Sequence, residues 1–76
     1  MITINKTGVQ KVSQLSKGTR LKLLLKKNMR SASWLAKMMD VSPTAVHKWM
    51  DDKNNLSYKR INQIVHIFNI DEDWFN

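Results

Sequence analysis

Apolar residues recur along this chain with a helical period, and the period breaks at residues that suit helix ends. Leu21, Leu24 and Leu25 share one face of a segment whose Arg20, Lys22, Lys26 and Lys27 fall outside it, which is the spacing of an amphipathic helix. Thr19, following Gly18, is placed to cap this helix, and Asn28 suits the left-handed residue that ends one. Ser31 then opens a second stripe of Leu35, Met38 and Met39, with Ala36 giving the small surface that a close helix crossing needs. Asp40, Val41 and Ser42 interrupt the stripe. Ser42-Pro43 pairs a capping residue with proline at the first helical position, where a missing N–H costs nothing, so a third helix starts at once. Its inward positions are Val46, Trp49 and Met50, which leaves Thr44, His47 and Lys48 facing out.

From Asp51 to Leu56 the chain is a polar loop in which Asn54 or Asn55 suits a positive φ. Ser57 caps a longer helix with Ile61, Ile64, Val65 and Phe68 inward and Asn69 as its terminator. Asp71 opens a last short turn, where Glu72 and Asp73 suit the positive helix end and Trp74 and Phe75 cover the core. Residues 1–17 hold no sustained period: Ile2 and Ile4 alternate like a strand, while Val9, Val12 and Leu15 fall three apart. They are expected to form an N-terminal arm, partly ordered or flexible, ahead of a domain at 18–76.

Composition narrows this all-α picture. Seventy-six residues suffice for one small domain. Such a chain hides only roughly 60% of its unfolded surface, which leaves little room for a deep catalytic cleft. The absence of cysteine removes disulfides, thiolate nucleophiles and the usual zinc staples. No apolar run approaches the roughly 20 residues of a membrane span, and the first residues lack a signal-peptide core, so a soluble, cytoplasmic protein with no membrane partner is expected.

Charge adds a direction. Thirteen Lys and Arg against six Asp and Glu give +7, a balance that favours polyanions such as nucleic acid. The excess is uneven, with nine basic and no acidic residues in 1–39, and four basic against six acidic in 40–76.

The run SASWLAKMMDVSPTAVHKW, Ser31 to Trp49, places two short helices around a three-residue turn. It resembles the Cro/repressor-type helix-turn-helix family, also called the xenobiotic-response-element family. That family's pattern is met here by Leu35-Ala36, Asp40-Val41-Ser42, Val46 and Trp49. GTRLKLLLKKN resembles the family's first helix, NLSYKRINQIVHIFNI its fourth, and IDEDWF the ending found in phage repressors. The resemblance implies a compact five-helix, lambda-repressor-like DNA-binding domain. Three positions depart from it: Asp40 and Asp52 stand where glycine is common, and Ala32 where a phosphate-binding glutamine is common.

The resemblance further implies a recognition helix over 43–51 that enters the major groove of double-stranded DNA from Pro43 onward. Thr44 then offers a methyl for thymine or a hydroxyl for any base edge, and His47 and Lys48 can donate to guanine. Ser31 and Ser33, at a helix N-terminus, are placed for phosphate, with Lys53, Asn54 and Asn55 as a second clamp and Lys6 and Lys11 as contacts from the arm. Trp34 sits off the apolar stripe and either shields the first helix or lies against sugar and phosphate. Trp49 reads as core. Family members of this size usually bind palindromic operators as homodimers, and Ile67, Trp74 and Phe75 near the last helices are the candidate dimer contacts.

Other chemistry finds little support. His66 has no second ligand one turn on, Met38, Met39 and Met50 read as core fillers, and Asp71, Glu72 and Asp73 read as capping residues, so no metal, cofactor or small-molecule ligand is called for. No nucleophile, base and orienter can be assembled, which argues against an enzyme. The expected function is a sequence-specific transcriptional regulator, a phage or prophage repressor or Cro-like protein. The competing readings are an antitoxin or restriction-controller protein of the same fold, and a protein-interaction module without a DNA face.

Overall fold

The computed structural model describes residues 15–75. The expected arm contacts Lys6 and Lys11, together with Val9 and Val12, lie outside the described residues. Within them the chain forms four α-helices, α1 (Lys17–Lys27), α2 (Ala32–Met39), α3 (Pro43–Met50) and α4 (Tyr58–Phe68), and ends in a 3₁₀ turn, Glu72–Phe75. The expected fifth helix is therefore a single turn. Trp74 N–H reaches the Asp71 carbonyl at 3.0 Å and the Asp71 side chain takes the Asp73 amide at 2.9 Å, a closure too short to start an α-helical ladder.

Each α-helix begins in the same way. Ser16, Ser31, Ser42 and Ser57 are the N-caps, and each hydroxyl oxygen accepts the amide three residues on, at Thr19, Trp34, Ala45 and Arg60. Ser16 thus replaces Thr19 as the expected first cap. Gly18, expected to precede the helix, lies inside α1 and serves a different purpose. A Cβ on Gly18 would stand under 3 Å from the Trp49 and Met50 carbonyl oxygens, so the start of α1 packs backbone to backbone on the end of α3.

All four helices also end alike. A non-glycine residue takes a left-handed conformation just past each helix, at Met29, Asp40, Asp52 and Asn69, with φ between 55° and 59°. At each end two amides turn back to the last turn. At α1 these are Met29 to Lys26 and Arg30 to Leu25, at 3.1 and 2.9 Å; at α2, Asp40 to Lys37 and Val41 to Ala36, at 3.3 and 3.0 Å. Two expectations change here. Asn28 keeps φ at −95° and uses its side-chain amide on the Leu24 carbonyl at 2.8 Å, which passes the left-handed role to Met29. After α3 the role falls to Asp52 instead of Asn54 or Asn55.

The core collects Leu21, Leu24 and Leu25 from α1, Leu35, Ala36 and Met39 from α2, Val46 and Trp49 from α3, and Ile61, Ile64 and Val65 from α4. Phe75 closes it from the 3₁₀ turn and Leu56 from the loop before α4. Leu56 was legible only as loop, since one apolar residue among polar ones carries no period. Two further positions differ from the sequence reading. Met38 is 54% exposed because α2 turns only its Leu35, Ala36 and Met39 edge inward. Arg20 is buried, sharing the Leu24 face one turn earlier, where the Trp74 indole donates to its carbonyl at 3.3 Å.

Two substitutions test these ends by their sign. Met29 is 90% exposed, so Met29→Gly should remove left-handed strain without opening the core and raise stability by about 1 kcal/mol. Gly18→Ala, which in an exposed helix would stabilise, should instead cost ~1–3 kcal/mol through overpacking. Urea denaturation of both variants reads each effect, and a gain for Gly18→Ala would refute the close approach.

Candidate nucleic-acid interface

The turn between α2 and α3 is Asp40, Val41 and Ser42, as the sequence pattern expects. Left-handed Asp40 reverses the chain, Val41 tucks half-buried against the core, and Ser42 accepts the Ala45 amide at 3.1 Å to start α3. Pro43 sits at the first helical position, where no amide is needed. Buried Leu35 and Ala36 on α2 and buried Val46 on α3 belong to one core, so the pair of short helices is fixed as a unit. Trp49 is 7% exposed and belongs to the core, with the Arg60 guanidinium 5.8 Å from its ring centroid.

With Val46 and Trp49 inward, the opposite face of α3 carries Pro43, Thr44, His47 and Lys48, all exposed. Their spacing of one, three and four residues puts them on a single surface of the helix. The helix ends at Met50, one residue short of the expected span, and Asp51 is its C-cap. Lys53, Asn54 and Asn55 follow as an exposed loop, tied back where the Lys53 and Asn54 amides meet the Lys48 carbonyl at 2.8 and 3.3 Å.

At the start of α2, Ser31 and Ser33 are exposed, and the Ser31 oxygen holds the Trp34 amide at 3.0 Å. The Trp34 ring is half-buried. It lies 5.6 Å from the Phe68 ring of α4, centroid to centroid, and packs against the shared core. The Arg30 guanidinium covers it at 4.6 Å. That stack was missed in the sequence, although an arginine four residues before a tryptophan across a serine cap is a visible signal.

Of the candidate dimer contacts, Phe75 is 2% exposed and is spent on the core, so it offers no surface. Ile67 and Trp74 are half-buried, and Trp74 is held by its bond to the Arg20 carbonyl and by Lys27, 5.5 Å from its ring centroid.

The electrostatics around α3 depend on α1. Asp51 lies 3.7 Å from Lys22, and Asp52 is bonded to the Ser16 hydroxyl and the Gly18 amide. Both acids that follow the exposed face are thus engaged by the basic helix. The Lys22–Asp51 pair is half exposed on each side and adds at most a few tenths of a kcal/mol, roughly. Its effect is on the local field more than on stability. Among the described residues no group of His, Asp and Glu is placed to hold a metal ion, and no helix is long and apolar enough to cross a membrane.

A family model described as helix-turn-helix matches residues 21–75. The comparisons with curated proteins and with solved structures gave no match.

The burial pattern separates the exposed face from the scaffold that holds it. Thr44→Ala, His47→Ala and Lys48→Ala should each change unfolding free energy by no more than about 0.5 kcal/mol. Trp49→Ala should cost ~3–5 kcal/mol, since it empties the core under α3. Thermal or urea unfolding reads both. A large loss at His47 or Lys48 would show that these side chains are structural.

Proposed function

The chain belongs to the Cro/repressor-type helix-turn-helix family of DNA-binding regulators, and from that membership we propose that it is a sequence-specific repressor of the phage or prophage kind, bound to double-stranded DNA. The observation that carries the reading is the exposed face of α3: Pro43, Thr44, His47 and Lys48 stand together above a buried Val46 and Trp49. A rigid eight-residue helix presenting donors, an acceptor and a methyl along one side fits the major groove, where each base pair shows its own pattern. Thr44, His47 and Lys48 read bases, and Pro43 places the helix start at the groove floor.

Phosphate contacts fix the register. Ser31 and Ser33 bind backbone at the start of α2, with Trp34 against the sugar-phosphate edge, and Lys53, Asn54 and Asn55 bind it beyond α3. The arm, with Lys6 and Lys11, adds contacts along the groove. Two copies occupy a palindromic operator with half-sites about one helical turn apart. Ile67 and Trp74 form the contact between them.

Charge and specificity then reside in different parts of the chain. The basic excess of residues 1–39 attracts the duplex, whereas α3 discriminates among sequences. DNA fragments retained from genomic DNA by the purified chain should share a palindromic element. For contacts to about six phosphates, affinity should fall roughly a thousandfold between 50 and 200 mM salt. Lys48→Ala should narrow the gap between that element and random DNA, and Lys53→Ala should weaken both about equally. Equal losses in the two variants would reject the assigned roles, and no duplex binding at low salt would reject the function.

A further inference from the structure

Asp52 follows the C-cap of α3 with φ at 58°, a conformation that glycine adopts without strain. An acid at this point is doubly unexpected, because it also stands directly before the loop proposed to hold phosphate. Its carboxylate explains its presence. Oδ1 accepts the Gly18 amide at 3.0 Å and Oδ2 accepts the Ser16 hydroxyl at 2.6 Å, bridging 34 and 36 residues of chain. The shorter bond has the length of one made to a full charge.

These bonds reinforce a head-to-tail meeting of two helices. Gly18 brings the amide end of α1 against the last carbonyls of α3, so the positive end of one dipole faces the negative end of the other. The Asp52 charge sits at that positive end and is held there by two donors. The left-handed turn at Asp52 also sets the direction in which Lys53, Asn54 and Asn55 leave α3, since the Lys53 amide closes on the Lys48 carbonyl at 2.8 Å.

We propose that Asp52 is a positioning residue for DNA recognition. By tying the end of α3 to Ser16 and Gly18, it fixes the 53–55 loop relative to the base-reading face of Thr44, His47 and Lys48. The proposal rests on the DNA-binding reading above, and its test distinguishes the two.

Wild type, Asp52→Gly, Asp52→Asn and Ser16→Ala are titrated with the duplex recovered from genomic selection and with a scrambled duplex, at a temperature where urea curves show each protein folded. Asp52→Gly keeps the turn and loses both bonds. Its ratio of selected to scrambled affinity falls about tenfold, the order of one weakened base contact. Asp52→Asn keeps an acceptor for Gly18 and tolerates the left-handed turn, so its ratio stays within about threefold of wild type. Ser16→Ala loses the hydroxyl bond to Asp52 and also the cap on the Thr19 amide but keeps the Gly18 tie, so its ratio, read where urea curves show it folded, falls between.

Amide exchange at Gly18, read without DNA, speeds up in Asp52→Gly and not in Asp52→Asn. An unchanged affinity ratio in folded Asp52→Gly overturns the positioning role, and unchanged Gly18 exchange overturns the tie itself. Failure of the wild-type chain to bind any duplex at low salt is a separate result, which overturns the DNA-binding reading beneath both.

Discussion

Short helices have more ends than middle, and satisfying those ends is the constraint on which this fold depends. An α-helix leaves four amides and four carbonyls without internal partners, so in the eight-residue α2 and α3 the unpaired groups outnumber the ladder bonds. The chain meets this with one device at each end, used four times: a serine oxygen on the first turn and a left-handed residue closing the last. Only then does burial of Leu35, Val46 and Trp49 hold the two helices at a fixed crossing. The rigidity of the exposed face is a consequence of those closures, because fraying either end of α3 would release Thr44 or Lys48 first.

The closures also decide where charge is allowed. Residues 1–39 carry all the basic excess, while Asp51 and Asp52 fall at the end of α3, the place where negative charge opposes both the helix dipole and an approaching phosphate. The structure answers by packing the start of α1 onto that end. Lys22 meets Asp51 across the surface, and Ser16 and Gly18 take Asp52. The first helix is thus more than a carrier of positive charge. It engages the two acids, Asp51 and Asp52, that follow the exposed face of α3.

How much of this was legible follows from which signals are local. The four helices, the three-residue turn, three of the four serine caps and the inward residues Leu21, Leu35, Val46, Trp49 and Ile64 all follow from period and capping chemistry, which act within a turn or two of sequence. The left-handed residues were half legible: Asn69 and Asp40 are polar types that tolerate the conformation, whereas Met29 has no such chemistry and is imposed by the two amides that close α1. Gly18 was placed ahead of the helix because a glycine needed for close approach looks, in sequence, like one that precedes a cap. Its reason lies 31 residues away, at Trp49. Leu56 was hidden likewise, since only the assembled core shows that a lone apolar residue in a polar loop has a place to fill, whereas Phe75 takes the core position read for it. On the candidate interface, exposure of Thr44, His47 and Lys48 followed from the helical period. The Arg30–Trp34–Phe68 stack did not, because it joins three elements.

Comparing the four left-handed positions separates strain kept for function from strain merely tolerated. All four share nearly the same φ, so the backbone cost is similar and differences come from what each side chain does. Met29 projects into solvent and contributes nothing that glycine would lack. Asn69 and Asp40 are types that reduce the cost locally. Of the four, Asp52 carries bonds that reach another helix, the basic α1. A glycine there would relax the turn and at the same time let α1 and α3 move apart at their shared corner. The acid is therefore the residue that ties the start of the basic α1 to the end of α3, whose exposed face is the one proposed to read sequence.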